Sequence, residues 1–136
     1  MISTIRTVTL LAAIAASAAT LPAWADDLKL TGANEVPAVN TTASGTGSIK
    51  VADDGAVSGS VKTTGVEGTA AHIHVGAVGA NGPVIVPLTK NGDTYSVPEG
   101  RKLTPAQMDA LKAGNLYVNV HSDRHKGGEI RAQLQP

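Results

Sequence analysis

Two short segments hold every histidine in the chain: Ala71-His72-Ile73-His74-Val75-Gly76 and Asn119-Val120-His121-Ser122-Asp123-Arg124-His125. Successive side chains of a strand point to opposite faces. His72 and His74 therefore share one face, with Ile73 and Val75 on the other. In Leu116-Tyr117-Val118-Asn119-Val120-His121 the apolar Leu116, Val118 and Val120 take one side and leave Tyr117, Asn119 and His121 together. If these strands meet, three imidazoles converge. Three neutral imidazole nitrogens suit copper or zinc. His125, in the loop that follows, is a candidate fourth ligand. Glu129 or Asn119 could orient a ligand ring from behind, and Glu35 could reach the same layer from its loop or bond loop N–H groups.

The elements that must position these residues are strands. Asp27 to Thr31 alternates polar and apolar. Ser44 to Val51 and Ala56 to Thr63 flank Asp53-Asp54-Gly55, a hairpin signal. Pro83 to Leu88 is an apolar run bracketed by prolines, which suggests an edge strand. Asn91-Gly92 marks a turn before Thr94 to Val97. One segment reads as helix, near 104–113: Thr104 suits the N-cap, Pro105 the first turn and Gly114 the stop.

Leu116–His121 and Glu129–Leu134 form the clearest strand pair. Matching apolar faces sets Val120 against Ile130, Val118 against Ala132 and Leu116 against Leu134. Asn119 then faces Arg131, Tyr117 faces Gln133, and His121 faces Glu129. Same-face neighbours favour a Glu129–Arg131 ion pair. About eight short strands with regular turns and one short helix predict an antiparallel β-sandwich or flattened barrel.

Composition narrows the function further. Met1 to Ala25 has a basic start at Arg6, a short apolar run and the ending Ala23-Trp24-Ala25. That pattern is a cleaved signal peptide, and its apolar run is short of the about 20 residues a membrane span needs. The expected mature chain is a single domain, residues 26–136, periplasmic or secreted and not inserted in the membrane. Without Arg6 it carries ten Lys and Arg against eleven Asp and Glu. Such a balance gives no reason to expect nucleic acid. There is no cysteine and no phenylalanine, so an aliphatic core must hold the fold without disulfides.

Leu30-Thr31-Gly32-Ala33-Asn34-Glu35-Val36-Pro37, the His72–His74 segment, Gly82-Pro83-Val84, Gly114 to His121 and Gly127-Gly128-Glu129-Ile130-Arg131 together resemble the CHRD (chordin-type) domain family, common in exported bacterial proteins. The resemblance covers essentially all of 26–136. It implies an immunoglobulin-like β-sandwich and little about activity. A second, fainter resemblance is to copper-zinc superoxide dismutase. His72-Ile73-His74 is similar to that family's paired copper ligands, and His121 could stand for a late one. Val84 occupies the place of its metal-bridging histidine, and neither a zinc-ligand set nor disulfide cysteines are present.

These observations favour an exported protein that binds copper, or less readily zinc, through His72, His74 and His121. The alternative is a structural or protein-interaction module with no metal, its partner an envelope or extracellular protein. Catalysis is the least favoured reading. No nucleophile elbow or paired-carboxylate signature is present, and sequence adjacency of His121, Ser122 and Asp123 makes no triad. A copper redox enzyme of superoxide-dismutase type would need an open coordination position.

Overall fold

The computed structural model describes residues 24–136. The expected signal peptide, 1–25, falls almost wholly outside the described residues. Nine strands are described: β1 (Trp24–Thr31), β2 (Ser44–Val51), β3 (Val57–Thr64), β4 (Gly68–Val75), β5 (Val84–Pro87), β6 (Thr89–Asn91), β7 (Thr94–Ser96), β8 (Leu116–Ser122) and β9 (Ile130–Leu134). A 3-10 turn, Gly32–Asn34, follows β1, and helix α1 spans Pro105–Lys112. Among the described residues no helix is long and apolar enough to cross a membrane.

All nine strands join one antiparallel sheet in the order β5-β4-β8-β9-β1-β2-β3-β7-β6. The junction of β1 and β9 is a single residue pair, Thr31 with Arg131. There the sheet folds over into two layers, and β6 returns against β4 so that the sheet nearly closes. The all-β expectation is met, with the two layers formed by one curled sheet. The strand beyond the expected eight is β6, three exposed residues with no apolar pattern to announce it.

Alternation explains the core. Leu28, Leu30, Ile49, Val51 and Val61 from one layer meet Ala71, Ile73, Leu116, Val118, Val120, Ile130 and Leu134 from the other. With no phenylalanine, the two tyrosines, Tyr95 and Tyr117, are the bulkiest fully buried side chains. α1 packs Leu111 against this core, with Met108 and Ala110 beside it. Its start is a capping box: Thr104 Oγ1 accepts from the Gln107 N–H, and Gln107 Oε1 accepts from the Thr104 N–H. Thr104→Ala should therefore cost about 1 kcal/mol in urea unfolding.

The β8–β9 register is the one that apolar matching requires, from Leu116 opposite Leu134 to Val120 opposite Ile130. β4 lies on the other side of β8, with His72 opposite Asn119, Ile73 opposite Val118 and His74 opposite Tyr117. Both histidine strands are thus neighbours. Their second face is covered rather than solvated. Loop 32–43 and loop 76–83 lie over it, held by Asn34 Nδ2 donating to the Arg131 carbonyl and Asn81 Nδ2 donating to the Val36 carbonyl.

Candidate metal centre

The covered face is a buried polar layer made from β4, β8 and β9. His72, His74 and His121 each bring one ring nitrogen to within 4.8 Å of the others. His74 is buried, and His72 and His121 are half-buried.

Hydrogen bonds define which nitrogens are available. A carbonyl oxygen only accepts, so a ring nitrogen bonded to one must carry the proton. His74 Nδ1–H donates to the Gly82 carbonyl at 2.9 Å, leaving the Nε2 lone pair free. That Nε2 is buried and makes no full hydrogen bond, with only the Asn119 amide interacting with the ring from the same layer. His121 Nδ1–H donates to the Lys126 carbonyl at 2.7 Å, and again the lone pair is on Nε2. His72 Nδ1 lies 3.1 Å from His121 Nε2. With His121 protonated on Nδ1, His72 must be the donor of that bond. To ligate, His72 needs only to move its proton to its other nitrogen.

Protonation states favour ligation as well. Burial pushes His72 and His74 below the ordinary imidazole value, and the neighbouring His121 adds to the effect on His72. Both rings are neutral at neutral pH, as ligands must be. A histidine with a depressed native pKa binds fewer protons than it does unfolded. Stability is therefore full above about pH 6.5 and falls as pH drops through the depressed values. Urea unfolding of the metal-free protein at pH 7.5 and 5.5 should show this loss, and His74→Gln should reduce it.

A stack holds His74 in place. Its ring lies parallel to that of Tyr117, with centroids 4.6 Å apart and planes at 5°. The Arg131 guanidinium covers the Tyr117 ring at 3.8 Å. Tyr117 Oη accepts from the Gly82 N–H at 3.1 Å, so ligand and stacking partner are tied to one loop residue.

Arg131 and Glu129 are not an ion pair. Arg131 Nε donates to Glu35 Oε2 at 3.1 Å, Nη1 donates to the Ala80 carbonyl at 2.8 Å, and Nη2 donates to Asn81 Oδ1. Glu129 instead accepts from Ser122 Oγ and Thr41 Oγ1, each at 2.8 Å. Glu129 sits in the bend before β9, outside the ladder that would have set it beside Arg131. Glu35 enters the layer from its loop, and burial raises its carboxyl above the ordinary range despite the pull of Arg131. Asn119 lies under Gly128, where a Cβ would collide with both Glu35 Oε1 and Asn119 Nδ2. With φ at +122°, that position suits glycine on both counts.

The fourth histidine stands apart. His125 lies outside the three-residue group and lines the mouth of the same cleft, with Gly127 and Gly128. Its backbone closes the β8 turn through mutual hydrogen bonds with Ser122. Of the positioning residues, Asn81, Ser122 and Thr41 carried no sequence signal of their role. The place of Tyr117 between Leu116 and Val118 set it on the histidine face, but nothing in the sequence announced its stack with His74.

No curated protein matches the chain, and no solved structure does. The family model of the CHRD domain matches residues 27–134. That span contains every residue of the polar layer and its two covering loops, and the chain belongs to the CHRD domain family.

Proposed function

We propose that this protein is exported and binds one transition-metal ion, copper before zinc, through His72, His74 and His121. The observation that carries the reading is the buried Nε2 of His74, without a full hydrogen bond, beside two further imidazoles. An unsatisfied buried acceptor is costly, and a metal ion satisfies it. Two of the three rings are oriented by backbone carbonyls accepting from the non-ligating nitrogen, the support that metal-bound histidines commonly have. The set is all nitrogen and neutral, which suits copper and zinc, and copper(II) stands above zinc in intrinsic affinity.

The sequence pattern of residues 1–25 supports export and a periplasmic or secreted location. Cleavage after Ala25 would start the mature chain inside β1, which pairs Trp24 with Val51 and Ala25 with Lys50.

Metal analysis and copper titration of the protein, beside a His72→Ala/His74→Ala variant, test the reading. Stoichiometric binding lost in a folded variant supports it; equal binding by both contradicts it. His125→Ala should leave copper affinity within about threefold, because its side chain acts from outside the group. One observation favours the alternative of a metal-free structural or interaction module: the His72–His121 hydrogen bond links two of the rings without an ion. On that reading the double variant loses stability and no ligand.

A further inference from the structure

Three protein nitrogens leave a copper or zinc ion at least one further position, and the surroundings of this one define its occupant. His74 and His121 border a cleft of about 460 Å³ that is also lined by Glu35, Val36, Val39, Gly128 and, outside the three-histidine group, His125. Two buried atoms of the polar layer, Glu35 Oε1 and Asn119 Oδ1, have no full hydrogen bond, the Asn119 amide lying beside both Glu35 and His74. Their residues are 5% and 1% exposed. Both atoms are acceptors, so a ligand that satisfies them must donate. No lysine or arginine lines the cleft. The guanidinium that reaches Glu35, that of Arg131, is already bonded to Glu35, Ala80 and Asn81.

We infer that the metal site keeps a coordination position open to this cleft for a small neutral ligand that donates hydrogen bonds, water at rest, and disfavours small anions. The inference rests on the three-histidine reading above. A bound divalent ion attracts any anion, and the Glu35 carboxylate opposes that attraction from the cleft wall. Water placed on the ion can donate toward Glu35 in the cleft wall, whereas azide carries no proton to donate. The site is then a centre with solvent access, unlike one closed by a fourth side chain.

Two measurements on the copper(II)-loaded protein test this. Water-proton relaxation should show an exchangeable water on the copper, above the level of a coordinatively closed site. Azide titration, followed by absorption and electron paramagnetic resonance, should give binding about tenfold tighter in Glu35→Gln than in the wild type, because a nearby negative charge has been removed. Copper bound without an exchangeable water would overturn the inference and leave the three-histidine reading standing. Equal azide affinity in the two proteins would do the same. Failure of copper to bind at all would overturn both. If Glu35→Gln does not fold, the relaxation of the wild type decides alone.

Discussion

Replacing Arg131 with methionine should destabilise the fold by about 3–5 kcal/mol in urea unfolding, the usual cost of breaking a buried charge pair from one side. The arginine is 2% exposed and engages Glu35, Ala80 and Asn81 through separate nitrogens. It also caps the Tyr117 ring. Methionine keeps much of the volume but leaves the Glu35 carboxylate buried with neither oxygen paired to a cation. The loop that carries Ala80, Asn81 and Gly82 would lose its Arg131 anchor to β9 and keep the one from Gln133 to the Gly76 carbonyl. Adding Glu35→Gln to Arg131→Met should restore a good part of the loss, because the orphaned charge is then gone. A loss under about 1 kcal/mol for Arg131→Met would mean that the ion pair behaves as an exposed one.

His74→Ala should lower copper affinity by at least 100-fold, more than the 10- to 100-fold that changes behind a metal ligand usually cost. His74 is the most buried of the three rings, and its Nε2 faces the cluster without a full hydrogen bond. Alanine also removes the ring stacked on Tyr117 and leaves the Gly82 carbonyl without its imidazole donor. Calorimetric titration at pH 7.5 measures the affinity, and circular dichroism shows whether the variant is folded. A folded His74→Ala protein with unchanged affinity would remove His74 from the ligand set.

The face shared by the histidines was legible from strand parity alone. Ile73 and Val75 had to turn inward, as did Leu116, Val118 and Val120, and the polar residues between them were forced to the other side. The β8–β9 register was legible for the same reason, since a slip by one residue would expose the whole apolar set. That β4 lies beside β8 was not. The two strands are far apart in the chain, and no turn links them to give a local signal.

The partner of Arg131 was misread for a related reason. The same-face neighbour on its own predicted strand offered only Glu129, whereas the carboxylate that reaches the guanidinium comes from the loop after β1. Loops that fold over a sheet leave no periodic trace. Glu35-Val36-Pro37 and Gly82 lie in segments marked by the family resemblance, and both line the cleft over the histidine layer. The fold over of the sheet at Thr31 and Arg131, a single pair, was equally invisible to patterns that describe one strand at a time.

Counting coordinated imidazoles on the copper(II) protein by pulsed electron paramagnetic resonance tests the central claim most directly. The account predicts three histidine nitrogens in the wild type and two in His121→Ala at equal copper loading. A wild-type signal from one imidazole or none, or a count unchanged by His121→Ala, would contradict it and leave the polar layer as a part of the scaffold.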